Sequence, residues 1–144
     1  MVTYETTLHV RDNCLCLAAQ RAARALARTF DAAFRQLNLT NGQFSLLMSL
    51  NRPMPPSITS VADLLAMDRT TLTAALKPLE RRGLVKVLVD PDDRRGRLLK
   101  LTAAGSKLLA AAVPIWKREH RRIEAELAAV EAVKRGLADL AAKP

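Results

Sequence analysis

Residues 60–83 read SVADLLAMDRTTLTAALKPLERRG and limit the fold more than any other stretch. SVADLLAM (60–67) makes a short helix with Ser60 or Thr59 as its cap. Asp68 caps the next helix, RTTLTAALKPLERRG, and Met67 and Leu72 are placed to staple its first turn. The break between the two helices is therefore tight. Gly83 supplies the C-terminal stop, and Leu84 can contact Leu79, as a Schellman ending prefers. Pro78 removes one helical hydrogen bond, to the carbonyl of Ala74, and should bend the helix.

The second helix divides by face. Leu72, Ala75, Leu76 and Leu79 form its buried side, while Arg69, Thr70, Thr71, Thr73, Ala74 and Lys77 lie elsewhere. Two strand-like runs follow, LVKVLV (84–89) and RLLKL (97–101), joined as a hairpin through DPDDRRGRLLKLT (90–102). A turn that only reverses the chain needs Pro, Asp and Gly. It does not need Arg94, Arg95 and Arg97. The order helix, tight turn, capped helix and basic-tipped hairpin predicts a winged helix-turn-helix.

The flanks are helical. From Asp12 to Leu37 the apolar residues Leu15, Ala19, Ala22, Leu26, Phe30, Ala33 and Leu37 keep helical spacing, with Arg21, Arg24, Arg28 and Arg35 on other faces. Asn38 ends this helix. Thr40-Asn41-Gly42-Gln43 is a capping-box pattern, with Leu39 and Phe44 placed to staple the helix that carries FSLLMSL to about Asn51. RPMPPS (52–57) cannot be helix interior. Thr102 caps a helical region running to the C-terminus, kinked at Pro114. In it Leu109, Val113, Trp116, His120, Ile123, Leu127 and Val130 step alternately by four and three, the mark of a seam against another helix. The fold class expected is mainly α with a small β-hairpin wing: a lobe over about 40–102, flanked by helical dimerisation regions at about 12–37 and 103–144.

Charge names the partner. The chain of 144 residues carries 23 Lys+Arg against 14 Asp+Glu, a formal net charge of +9. A folded chain this basic suits a polyanion, nucleic acid first. Short polar residues near the start of Arg69–Arg81 let that helix approach a major groove. Thr70, Thr71 and Thr73 can bond bases or phosphates, while Lys77 and Arg81 suit phosphates. A hairpin tip beside such a helix lies over the neighbouring minor groove, whose potential attracts arginine. Asp93 is expected to orient an arginine guanidinium at that tip, with Gly96 giving the turn its freedom. Arginines on a turn can also be a solvated edge that keeps strands from pairing. The stapled helix pair and the net charge favour DNA.

Other classes fit poorly. There is no GxSxG, Walker or HExxH pattern, so no enzyme is indicated. No apolar run approaches a membrane span, and MVTYETTLHVRDN lacks the regions of a signal peptide. Cys14 and Cys16, two apart, are too close for an ordinary bridge and fit a reducing compartment, so the expected location is cytoplasmic. Together with His9 and His120 they do not make a zinc spacing, and no metal or cofactor is expected. An architectural DNA-binding protein with little base discrimination is the alternative function.

SVADLLAMDRTTLTAALKPLERRGLVKVLVDPDDRRGRLLKLTAAG resembles the MarR (multiple antibiotic resistance regulator) family of winged-helix regulators. The resemblance rests on LVKV after RRG, the Asp-x-Arg of Asp93 and Arg95, and LTAAG at 101–105. It implies a homodimer with interlocked terminal helices on a pseudo-palindromic operator in double-stranded DNA. It also implies a repressor, released by small aromatic or phenolic acids or by oxidants in a stress response. By position, Arg95 matches the family's wing arginine, and the helix from Arg69 its recognition helix. Ala66 departs from the glycine common in the family's turn. Cys16 resembles the reactive cysteine of the family's hydroperoxide-sensing branch, and Arg11 and the helix N-terminus could favour its thiolate. Gln20 and Phe30 stand where that branch has tyrosines, and the alternative is a pair of small interface hydrophobes. Trp116 is expected in core or dimer packing, or at an effector pocket.

Overall fold

The computed structural model describes residues 1–142. Helices α1 (Tyr4–Asn13) and α2 (Leu15–Phe34) lead through a 3-10 turn, Arg35–Leu37, into α3 (Asn41–Leu50), α4 (Ile58–Leu65) and α5 (Arg69–Arg81). Strands β1 (Val85–Asp90) and β2 (Asp93–Leu101) form an antiparallel hairpin, and α6 (Ala103–Ala125) and α7 (Val130–Ala141) complete the described residues.

The local signals around the helix pair set its geometry. Thr40 and Gln43 make both bonds of the capping box. Asp68 accepts from the Thr71 amide at 2.7 Å. At the end of α5, Gly83 (φ +69°) donates to Glu80 O at 2.9 Å and Leu84 to Leu79 O at 3.0 Å, the two bonds of a Schellman ending. Thr102 caps α6 by accepting from Gly105 N at 3.0 Å.

Four boundaries differ from the sequence reading. The helix expected from Asp12 to Leu37 is two helices. Cys14 leaves the helical region (φ −78°, ψ 109°) and caps α2, its Sγ accepting from Leu17 N at 3.4 Å. Asn13 completes the break by donating its amide to His9 O at 2.8 Å, the local competition that keeps Asn out of helix interiors. Helix α4 begins two residues early because Ser57, not Thr59 or Ser60, is its cap. Pro56 just before it fixes an extended entry, and Leu99 of β2 donates to Pro56 O at 2.9 Å. The second strand starts four residues closer to the tip than the expected 97–101, so Arg94 and Arg95 join Arg97 in β2. The C-terminal region breaks at Glu126–Ala129, where nothing in the local composition forces it. This splits the expected seam: Leu109 and Trp116 pack in or against the chain's own core, while Leu127 is 40% exposed.

The core joins the lobe to the helical base. Leu47, Val61, Leu72, Leu76, Leu79 and Leu99 lie buried in the lobe. Phe34 and Phe44 stack at 4.8 Å between centroids, and Phe44 meets Trp116 at 6.5 Å, tying α2, α3 and α6 together. Asp31 of α2 accepts from the backbone and side-chain nitrogens of Asn41 at 2.7 and 2.8 Å, which hold its carboxyl below the usual carboxylate range.

Ala66 closes α4 in the left-handed region, φ +52° and ψ +42°. A side chain there costs about 1–2 kcal/mol, part of which glycine gives back through its looser unfolded chain. Ala66→Gly is expected to raise stability by about 1 kcal/mol, read as a higher urea midpoint at unchanged m-value.

Candidate nucleic-acid interface

The recognition candidate is the outer face of α5. Leu72, Leu76 and Leu79 turn its opposite side into the core, so the remaining residues must face outward. Arg69, Thr70, Thr73, Ala74 and Lys77 line a shallow exposed groove of about 320 Å³. Arg81 is exposed at the last turn of the same helix.

The three threonines are not equivalent. Thr71 spends its hydroxyl on the cap, donating to Asp68 Oδ2 at 2.8 Å, and does not line the groove. The two bonds from Thr71 hold the Asp68 carboxyl below its usual range. Thr73 donates back to Arg69 O at 2.7 Å. Among the described residues the Thr70 hydroxyl has no such partner, so it keeps both donor and acceptor capacity for a ligand.

The wing tip is organised differently from the expectation. Asp93 does not hold an arginine guanidinium. Its Oδ1 accepts from the Arg95 backbone N–H at 3.0 Å, and Asp90 does the same for Asp92 at 2.9 Å. An Asp two residues before an amide reaches that N–H more readily than a mobile guanidinium, the geometry of an Asx turn. The register pairs Val89 with Arg97 and then Asp90 with Asp93, which leaves Arg94, Arg95 and Gly96 looped out without partners on β1.

Arg97 also has another occupation. Its Nη1 donates to Arg94 O at 3.1 Å and Gly96 O at 3.0 Å, so it clips the loop. Gly96 serves by its size rather than by a left-handed φ: an added Cβ would lie 3.3 Å from Asp90 Cβ and from two oxygens of Asp93. Arg94 and Arg95 are exposed and make no ion pair among the described residues.

Two further features lie away from this face. An apolar cavity of about 600 Å³ opens between α3, α4 and α6, walled by Phe44, Met48, Leu64, Val113 and Trp116, with Lys117 its charged lining residue. Trp116 is thus both core packing and cavity wall. His120 stacks on it at 4.6 Å and meets Glu124 at 3.3 Å. Near the N-terminus both thiols are free. Cys16 is exposed and accepts from Gln20 Nε2 at 3.4 Å. The Arg11 guanidinium is bonded to Asp12, and among the described residues no hydrogen bond joins it to Cys16.

Sequence reasoning missed the buried Glu119, bonded to Arg118 and Arg122, and the bond from Arg82 Nη1 to Asn38 O at 2.8 Å. The Glu119–Arg122 pair keeps i,i+3 helical spacing, but neither the burial of Glu119 nor the Arg82 bond has a local sequence signature.

Comparison with known proteins gives one answer. The MarR family model matches residues 39–96. Transcriptional regulator HosA of Escherichia coli O111:H- is 39% identical over 80 residues, 54% of this chain and 58% of HosA, so the match spans little more than half of that relative. The M. tuberculosis transcriptional regulator MosR, solved in complex with DNA, superposes with a TM-score of 0.83 at 35% identity, covering 90% of this chain and 94% of MosR. NadR in complex with 4-hydroxyphenylacetate gives a TM-score of 0.73 at 29% identity, covering 89% and 92%.

Proposed function

The chain belongs to the MarR family, and from that premise we propose that it acts as a homodimeric, sequence-specific repressor of a pseudo-palindromic operator. The observation that carries this reading is the pairing of two exposed cationic features on one lobe. One is the groove of Arg69, Thr70, Thr73 and Lys77; the other is the looped-out Arg94 and Arg95. The helix is built to enter a major groove and the wing to insert into the adjacent minor groove. Arg81 suits a phosphate, and Thr71, Asp93 and Arg97 shape the two elements rather than touch DNA. The activity is regulatory rather than catalytic, and the site of action is the cytoplasm. Among the described residues no helix is long and apolar enough to cross a membrane.

The dimer follows from surface that a single chain leaves bare. Tyr4, Val10, Leu15 and Leu26 on α1 and α2, and Val133, Leu137 and Leu140 on α7, are all exposed. The α7 residues keep helical spacing on one stripe, which a second copy would cover. Lobe and base divide at about residues 40 and 102. The release signal is a small aromatic acid seated in the apolar cavity, its carboxylate meeting Lys117, or oxidation at the exposed Cys16. Cys16→Ser should abolish peroxide-induced release in a gel-shift assay; release that persists in the variant excludes that thiol as the sensor.

Selection of bound fragments from a random DNA library at about 150 mM salt, where nonspecific binding is weak, tests the main reading. An inverted repeat with half-sites about one helical turn apart is the expected result. Binding without enrichment and with a steep salt slope indicates an architectural protein instead. On the enriched operator, Arg95→Ala should cost about 1–3 kcal/mol of affinity. Unchanged affinity would leave the wing a solvated edge.

A further inference from the structure

Beside the apolar core that joins base to lobe, a small group of polar contacts braces the joint where α2 hands over to α3. Only Asn38, Leu39 and Thr40 connect the 3-10 turn after α2 to α3, and Asn38 bends the chain there with φ +54°. Two side chains from different elements bind this connection. Asp31 of α2 binds both nitrogens of Asn41, the first residue of α3. A carboxylate suits that place because the first turn of a helix carries partial positive charge. From the lobe, Arg82 donates to Asn38 O at 2.8 Å across 44 positions of sequence. Arg82 is the C-cap of α5, and a guanidinium suits the carbonyl-rich end of the 3-10 turn.

The end of α2, the start of α3 and the end of α5 therefore meet around one small polar cavity of about 370 Å³, lined also by Arg35 and Gln43. Arg82 is exposed and Asp31 only half-buried, so neither supports the core. What they hold is an angle. Helix α5 has 13 residues and is about 20 Å long. A tilt of about 5° at its Arg82 end would carry Arg69 and Thr70 through about 1.7 Å, given 1.5 Å of rise per residue. A contact to a base edge does not survive such a shift, whereas a contact to a phosphate does, because it tolerates longer and less directed bonds.

We propose that Asp31 and Arg82 are positioning residues that set the attitude of the recognition helix on the helical base, and so govern operator discrimination without touching DNA. The proposal rests on the DNA-binding reading above. Its test has two arms, so that the two can fail separately. In the first, amide hydrogen exchange is followed in Arg82→Ala, Arg82→Lys and Asp31→Ala without DNA. Exchange at residues 38–44 and 81–84 should quicken several-fold in Arg82→Ala and in Asp31→Ala, which removes the acceptor of both Asn41 bonds. It should stay near wild type in Arg82→Lys, which keeps a donor, and the amide of Leu76 should be unaffected in all three. Unchanged exchange at the joint overturns the proposal whatever the protein binds.

In the second arm, affinity is measured for the enriched operator and for random DNA at one salt concentration. Arg82→Ala should lose about tenfold on operator and little on random DNA, with recovery in Arg82→Lys. Equal losses on both would make Arg82 a direct phosphate contact and overturn the positioning role, as would no loss on either. If wild type binds no DNA, the function reading falls and the exchange arm alone decides whether the clamp exists.

Discussion

Leu76→Ala should lower the free energy of unfolding by about 2–5 kcal/mol. Leu76 is 1% exposed and stands between Leu72 and Leu79, both fully buried, on the inner side of α5. Truncation removes its transfer free energy and leaves a hole that neighbours on α4 and β1, the elements packed against α5, can fill only in part. Whole domains are stable by about 5–15 kcal/mol, so this one change takes a large share. Urea unfolding should show a lower midpoint at an unchanged m-value. Operator affinity should fall with it, because the same helix presents Arg69, Thr70, Thr73 and Lys77. Thr70→Ala makes the contrast: nearly two turns away and exposed, it should leave stability within about 0.5 kcal/mol while weakening binding. A Leu76→Ala chain with wild-type stability would mean that α5 is seated by something other than this apolar face.

The parts of the site that were legible in the sequence are those fixed by neighbours three to five residues apart. Asp68 and Thr71, Thr40 and Gln43, Thr102 and Gly105, and the Gly83 ending are all of this kind, and each has the expected bonds. Misreadings arose where one residue had two local choices. Asp93 could bind a guanidinium or an amide and took the nearer amide. Cys14 could continue a helix or cap one, and with Asn13 bonded back to His9 it caps. Arg97 could face solvent or fold onto its own loop, where two carbonyls lie within reach. What stayed hidden depends on distant chain segments. The cavity beside Trp116 exists only once α3, α4 and α6 are packed. The bond from Arg82 to Asn38 spans nearly a third of the chain, and Glu119 is an ordinary charged residue until folding buries it.

Gly105→Ala should be as damaging as the core truncation, for the opposite reason. A methyl group there would fall on the carbonyl oxygen of Leu84, with the carbonyl carbon at 3.1 Å and Leu101 Cδ2 at 3.4 Å. The obstacle is backbone, so no side-chain rotation relieves it. That backbone is also pinned: Thr102 N donates to the same Leu84 oxygen at 3.1 Å, and the Thr102 hydroxyl to Gly83 O at 2.6 Å. The first turn of α6 is thus laid directly against the root of β1, just past the end of the recognition helix. Overpacking of this kind costs about 1–3 kcal/mol and occasionally more, and a fixed carbonyl places this case at the upper end. The chain can escape only by moving α6 away from the hairpin, which breaks the Thr102 bonds and turns the wing with its Arg94 and Arg95. Gly105→Ala should therefore lose stability in a urea melt and, under conditions where it stays folded, lose operator affinity beyond Arg95→Ala alone. In a Gly105→Ala/Arg95→Ala double variant the two affinity losses should fall short of their sum, because both act through the wing arginine. Full additivity would show that Gly105 sets the stability of the wing root without setting where the wing points.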